Sequence, residues 1–304
     1  EGSDPDFVLE ELPEQDAPQI VVGLDPSVRA AELGDSGDSR RPSHQALVQE
    51  FGSADAVNVN RRAADLVRTD LGRGTGRAGS PLEVLDRRDL LVVNGTFDRI
   101  AEVLRATRLP FTSVKPMELA DQDASAIFRH KVIFWNCGES LPPKKLAIVA
   151  RRLRAFVRRG GYLFTTDWCV FNVVKEAFPG YLTSKGPGAP LPETIVDIRP
   201  VAKHARHPLL RGVFAGRATG RWWLEQASFD VEVVRRDDVT VLIESPELRD
   251  LYGRSTAVAV TFQHGRGRVL HVMGHYFQEA GNLAGAIAAH RLALNFVLMR
   301  LESD

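Results

Sequence analysis

Cysteine, histidine and carboxylate are the residue types here that could perform nucleophilic chemistry. The 304 residues include two cysteines, Cys137 and Cys169, and eight histidines. A thiol becomes an effective nucleophile when an imidazole or a helix N-terminus lowers its pKa from about 8.5. Cys137 and Cys169 each follow an apolar run. His275 follows a third, with Glu279 four residues on. If the chain is an enzyme, its catalytic set is therefore Cys169 or Cys137 with His275 and Glu279. The competing reading makes both cysteines small buried hydrophobes, the usual fate of a free thiol. His271 and His275 on one strand face, joined by Asp167, Cys137 or Glu139, would be the start of a metal site. Scattered second-shell histidines are the simpler account, and no metal is assigned.

The elements that must position these residues form a strand–helix–strand unit over residues 131–171. Residues 131–136 read as a buried strand, followed by a helix capped by Ser140 with Pro142 and Pro143 in its first turn. Leu146, Val149, Ala150, Leu153, Phe156 and Val157 give that helix an apolar stripe, and Gly160 suits its left-handed end. Residues 162–166 are the next strand, and 170–178 a short helix. The arginines at 151, 152, 154, 158 and 159 lie on the long helix's other faces and read as solvated, because no aromatic residues interleave for base stacking.

Upstream, residues 89–95 are a buried strand ending in Asn-Gly. Residues 97–109 are a helix with Asp98 as N-cap, ended by Pro110, and 111–115 are another strand. Such alternation implies right-handed crossovers and a parallel sheet covered by helices on both faces. Downstream, strands at 194–201, 222–234, 239–244, 257–262 and 268–273 alternate with turns and suggest antiparallel additions. A helix over 284–301 closes the chain. The fold class is thus α/β, a flavodoxin-like, mostly parallel open sheet extended by antiparallel strands. The domain plan is a flexible or loosely packed segment at 1–45, a helical and loop lead-in at 46–88, and the α/β domain at 89–304. Within the lead-in, two short helices flank a break at 55–60. The glycine-rich run at 72–81 lacks both the Walker and the dinucleotide pattern, so no cofactor is expected.

Lys plus Arg and Asp plus Glu both number 39, and 44% of residues are hydrophobic. Such balance gives no electrostatic case for nucleic acid. No apolar run reaches the ~20 residues of a membrane helix, and two cysteines make no disulfide framework. The expected location is cytoplasmic. The start, Glu1-Gly2-Ser3, lacks an initiator Met, so a fragment or processed form is expected.

Three passages resemble the class I glutamine-amidotransferase-like superfamily, in particular its ThuA-like, non-glutaminase branch. The first is Val157-Arg158-Arg159-Gly160-Gly161-Tyr162-Leu163-Phe164, similar to the family's helix, glycine pair and central strand. The second is His207-Pro208-Leu209-Leu210-Arg211-Gly212-Val213, with Glu225 on the following strand. The third is Gly267 through Gly274-His275, similar to a final strand ending in Gly-His. The resemblance covers about residues 89 to 301. In glutaminase members, the resemblance implies a nucleophilic Cys in a Gly-x-Cys-x-Gly elbow, paired with a His-x-Glu motif. Here the elbow reads Thr165-Thr166-Asp167-Trp168-Cys169, with Asp167 at the nucleophile position and neither glycine present. The terminal motif has spacing four rather than two.

Ligands of parallel sheets bind outside the carboxyl ends of the strands. The expected pocket therefore gathers Asn94, Gly95, Asn136, Cys137, Glu139, Asp167, Trp168 and His275. The leading functional expectation is a non-catalytic amidotransferase-like module that binds a small molecule or a protein partner. The alternative is a Cys/His-dependent hydrolase, and a third reading is homo-oligomerisation through the N-terminal segment.

Overall fold

The structure, a computed structural model, describes residues 56–74, 81–123, 125–138, 140–214, 216–275 and 283–303. The expectations for 1–45, Glu139 and Glu279 lie outside the described residues.

The first described element, α1 (Ala56–Gly74), is one continuous helix, so the expected break at 55–60 is not found in its described part. Ala63, Ala64 and Val67 form its buried face. Spaced by about one turn, they supply an apolar stripe that outweighs the weak helix propensity of Asn58 and Asn60. Then come β1 (Leu90–Val93), α2 (Ile100–Ala106), β2 (Thr112–Val114), α3 (Pro116–Asp121), α4 (Ser125–Phe128) and β3 (Val132–Trp135). The long helix α5 (Pro143–Arg158) leads to β4 (Tyr162–Thr166), a 3-10 turn at Asp167–Val170 and α6 (Val173–Ala177). The remaining elements are β5 (Leu182–Thr183), β6 (Thr194–Pro200), β7 (Gly220–Leu224), β8 (Glu232–Val233), β9 (Val239–Glu244), α7 (Pro246–Tyr252), β10 (Ala257–His264), β11 (Gly267–Val272) and α8 (Leu283–Leu301).

Among the described residues, nine strands form one sheet in the order β2-β1-β3-β4-β11-β10-β9-β6-β7. The run from β2 to β11 is parallel, and from β10 onward each neighbour is antiparallel. This is the expected α/β sheet with an antiparallel extension. Strands β1 and β3 are short and wholly apolar because both their faces are covered; they and β4 are buried at every position. Helix α5 packs on β4, β10 and β11, while α8 packs on β4 and β7. On the α8 side Phe296 meets Tyr162 at 5.0 Å and Phe164 at 5.9 Å between ring centroids.

The α5 stripe is buried at Val149, Ala150, Leu153, Phe156 and Val157. Its cap differs from expectation. Pro142, not Ser140, is the N-cap residue, and no side chain caps the helix. Similarly, Arg99 rather than Asp98 is the N-cap of α2. Two arginines of α5 bind backbone carbonyls instead of merely facing water. Arg152 donates to Gln122 O at 2.8 Å, and Arg154 to Ala177 O at 2.6 Å. The expected strand at 222–234 divides into β7 and β8, with β8 pairing β5 in a separate ribbon.

The His-Pro passage has a structural role. His207 Nδ1 accepts the N–H of Leu209 at 3.2 Å, and Asn295 of α8 donates to the carbonyls of Leu209 and Arg211 at 2.9 and 2.8 Å. Of the tryptophan pair on β7, Trp222 is buried and donates from Nε1 to Met273 O at 2.7 Å, whereas Trp223 is half-buried.

Candidate functional site

At the end of β4 the chain must leave the sheet centre, where both of its edges are paired. Thr166 is still extended, but Asp167 takes φ +39° before the 3-10 turn. Positive φ is uncommon for a residue with a Cβ, and Asp tolerates it better than most because its short polar side chain bonds locally. Its carboxylate is wholly buried and held from two directions. Oδ1 accepts the N–H of Phe229 at 2.9 Å and Oδ2 the N–H of Gly274 at 3.2 Å.

His275 lies against the same carboxylate, with Nε2 4.0 Å from Asp167 Oδ2 and only 5% of its side chain exposed. Its Nδ1 donates to Glu225 Oε2 at 2.7 Å. Burial disfavours the imidazolium, but the bond to Glu225 and the charges of Asp167, Asp98 and Glu225 outweigh it, and the pKa is pushed up to about 9. Burial pushes the Asp167 carboxyl upward, against the opposing pull of His275 and of its backbone donors. Gly274 makes this approach possible. It has φ +88°, and a Cβ there would lie 3.0 Å from both Trp222 Nε1 and Trp223 O.

The imidazole's carboxylate partner is thus Glu225, at the end of β7. Strand directions alternate from β11 to β7, so the carboxyl end of β7 emerges on the same sheet edge as that of β4. The sequence motif containing Glu225 was visible; the direction of its strand, on which the pairing depends, was not.

Neither cysteine is among the hydrogen-bond partners of His275. Cys137 is buried after β3, its N–H donated to Thr166 Oγ1 at 2.9 Å. Burial, then the charge of Asp167, pushes its thiol pKa well up. Cys169 lies within the 3-10 turn with Sγ 3.6 Å from Trp135 O, and burial pushes it up as well. Trp168 stacks on Phe229 at 5.3 Å, meets Phe97 at 4.9 Å and donates to Ala227 O at 2.7 Å. His271 is buried on β11 against Thr165 Oγ1 at 2.9 Å, and burial pushes its pKa down to about 3. Among the described residues no group of three His, Cys, Asp or Glu side chains is disposed to hold a metal ion.

A second feature lies over β1 and β3. From β1 the chain passes to β2 on one side, then crosses to β3 on the other, so the connections diverge and leave a crevice. The crevice is a cleft of about 510 Å³, lined by residues 94–96 after β1, 115–117 after β2, and Trp135, Asn136, Gly138 and 140–142 around the end of β3. Its floor depends on two glycines. A Cβ on Gly95 would lie 1.9 Å from Cys137 O, and one on Gly138 would lie 2.9 Å from Gly95 Cα. A hydrogen-bond chain joins the two features. Thr166 Oγ1 donates to Asp98 Oδ2 at 2.5 Å, and Asn136 Nδ2 donates to Asp98 O at 3.1 Å.

The expected pocket residues therefore separate. Asn94, Gly95 and Asn136 line the cleft, while Asp167 and His275 belong to the buried cluster beside Trp168. Thr96, Lys115, Met117 and Ser140 are among the other lining residues and lie outside the expected set. Lys115 was accessible to the same rule, since it directly follows β2.

No protein-family model matches the chain, and no curated protein matches it. Among solved structures it is similar to a ThuA-like protein from Bacteroides uniformis, with 15% identity over 70% of this chain and 91% of the other, at a TM-score of 0.49. It is also similar to a GMP synthase protein from Thermoplasma acidophilum, with 11% identity, coverage of 72% and 100%, and a TM-score of 0.49. PurLQS from Thermotoga maritima gives 15% identity, coverage of 70% and 99%, and a TM-score of 0.47.

Proposed function

We propose that this chain is a non-catalytic, amidotransferase-like α/β domain that binds a small molecule in the cleft over β1 and β3. One observation carries the reading: the position where an elbow nucleophile would stand holds Asp167, wholly buried, its oxygens bonded by the N–H groups of Phe229 and Gly274. A nucleophile must be reached by its substrate, and a carboxylate with no exposed surface is closed to one. Asp167 instead fastens the turn after β4 to the 229 loop and the Gly274 turn. The cleft is concave, open and of a size suited to a small ligand.

The alternative, a hydrolase using Cys169 or Cys137 with His275, predicts a reactive thiolate. Iodoacetamide labelling of the intact chain at neutral pH separates the two. Slow alkylation, accelerated only by urea and unchanged by His275→Ala, is the expected result. Fast alkylation of one cysteine that disappears in His275→Ala would establish the hydrolase instead.

A further inference from the structure

We infer that the cleft ligand is a small organic anion, its carboxylate or phosphate held by Lys115 and its apolar part placed against Met117 and Leu141. The inference rests on the binding reading above and adds the chemical class. Lys115 is the one charged side chain among the described lining residues, and its ammonium makes no ion pair among the described residues. Two acids near Lys115 in the chain have partners among the described residues. Glu118 Oε2 accepts the backbone N–H of Lys115 at 3.1 Å, and Asp121 pairs with Lys145. Asp98, beneath Asn136, is buried and accepts from Thr166 Oγ1 and from the N–H of Arg99 at 2.7 Å.

The neutral lining is rich in donors. Asn94, Thr96 and Ser140 bring amide and hydroxyl groups, and the backbone N–H groups of Gly95 and Thr96 have no hydrogen-bond partner among the described residues. The Gly95–Gly138 contact brings the two loops together at backbone distance. The α5 helix starts on the cleft wall with no acidic residue in its first turn, so its dipole adds to the positive potential without defining the site. Met117, 42% exposed, and Leu141 supply an apolar wall. An ammonium with no ion pair among the described residues, set among neutral donors, favours an anion over a neutral or cationic ligand, and the apolar wall favours an organic one.

The test uses the full chain labelled with 15N and follows the backbone amides of Gly95, Thr96 and Gly138. Inorganic phosphate, benzoate and uncharged benzamide are titrated separately. At least one anion is expected to move these amides saturably, with benzamide about tenfold weaker than benzoate if the carboxylate is the preferred group. Loss of a charge-assisted contact in Lys115→Met should weaken the anion about tenfold, while Lys115→Arg retains most of the affinity. The stronger of the two anions identifies carboxylate or phosphate. Benzamide binding as tightly as the better anion, or affinity unchanged in Lys115→Met, would overturn the anionic assignment and leave the binding function standing. If neither anion moves a cleft amide, the anionic assignment fails. A set of uncharged fragments that also leaves those amides unmoved would then remove the binding function.

Discussion

At the scale of single residues, Asp167 and His275 decide the account. The sequence resembles an elbow with Asp167 at the nucleophile position, because an apolar strand followed by Thr-Thr-Asp leaves little choice of register. It did not show what the carboxylate does, since its donors, Phe229 and Gly274, are 62 and 107 residues away. The pair makes a pH prediction. The folded pKa of His275, about 9, lies above the ordinary 6.5, so the folded chain holds a proton that the unfolded chain has released. The stabilisation is complete below about pH 6.5 and is lost as pH rises through about 9. At 1.36 kcal/mol per pH unit, the ceiling is roughly 3 kcal/mol. Urea unfolding between pH 6 and 10 should show this decline, and His275→Gln should flatten it. An equally steep decline in the variant would show that other groups are responsible.

At the scale of elements, long apolar runs were legible and short or locally capped elements were not. Residues 162–166 and 239–244 were read with the bounds the structure gives, because each is a run of β-favouring residues closed by a turn. The short helices α3, α4 and α7 were missed, since four to seven residues show too little periodicity against their background. The caps of α2 and α5 were misplaced because Asp98 and Ser140 were read from local preference alone. Asp98 is instead drawn into the bond with Thr166. The contact of the two strand-end loops gives an element-scale prediction. Gly95→Ala would drive a Cβ into Cys137 O and separate the loops after β1 and β3. A loss of about 1–3 kcal/mol in thermal or urea unfolding is expected for such overpacking. A variant as stable as the parent would show that the loops yield freely.

At the scale of the whole described sheet, its two parts contribute differently. The parallel part creates the switch point and its cleft. The antiparallel part returns β7 beside the final turn, so that Glu225 reaches His275 and Trp222 braces Met273. The parallel part follows from the alternation of strands and helices and was legible. The β10–β11 hairpin is local, but the joins of β4 to β11 and of β6 to β9 pair segments far apart in the chain, which no local pattern encodes. No helix among the described residues is long and apolar enough to cross a membrane. The central claim is that the working site is the cleft over β1 and β3 and not the turn after β4. A crystallographic fragment soak of the intact chain tests it most directly. The account predicts fragment density between the 94–96 loop and Asn136, with Asp167 still bonded to Phe229 and Gly274. Density against Asp167 and His275 with the cleft empty, or a covalent adduct on Asp167, Cys137 or Cys169, would contradict it.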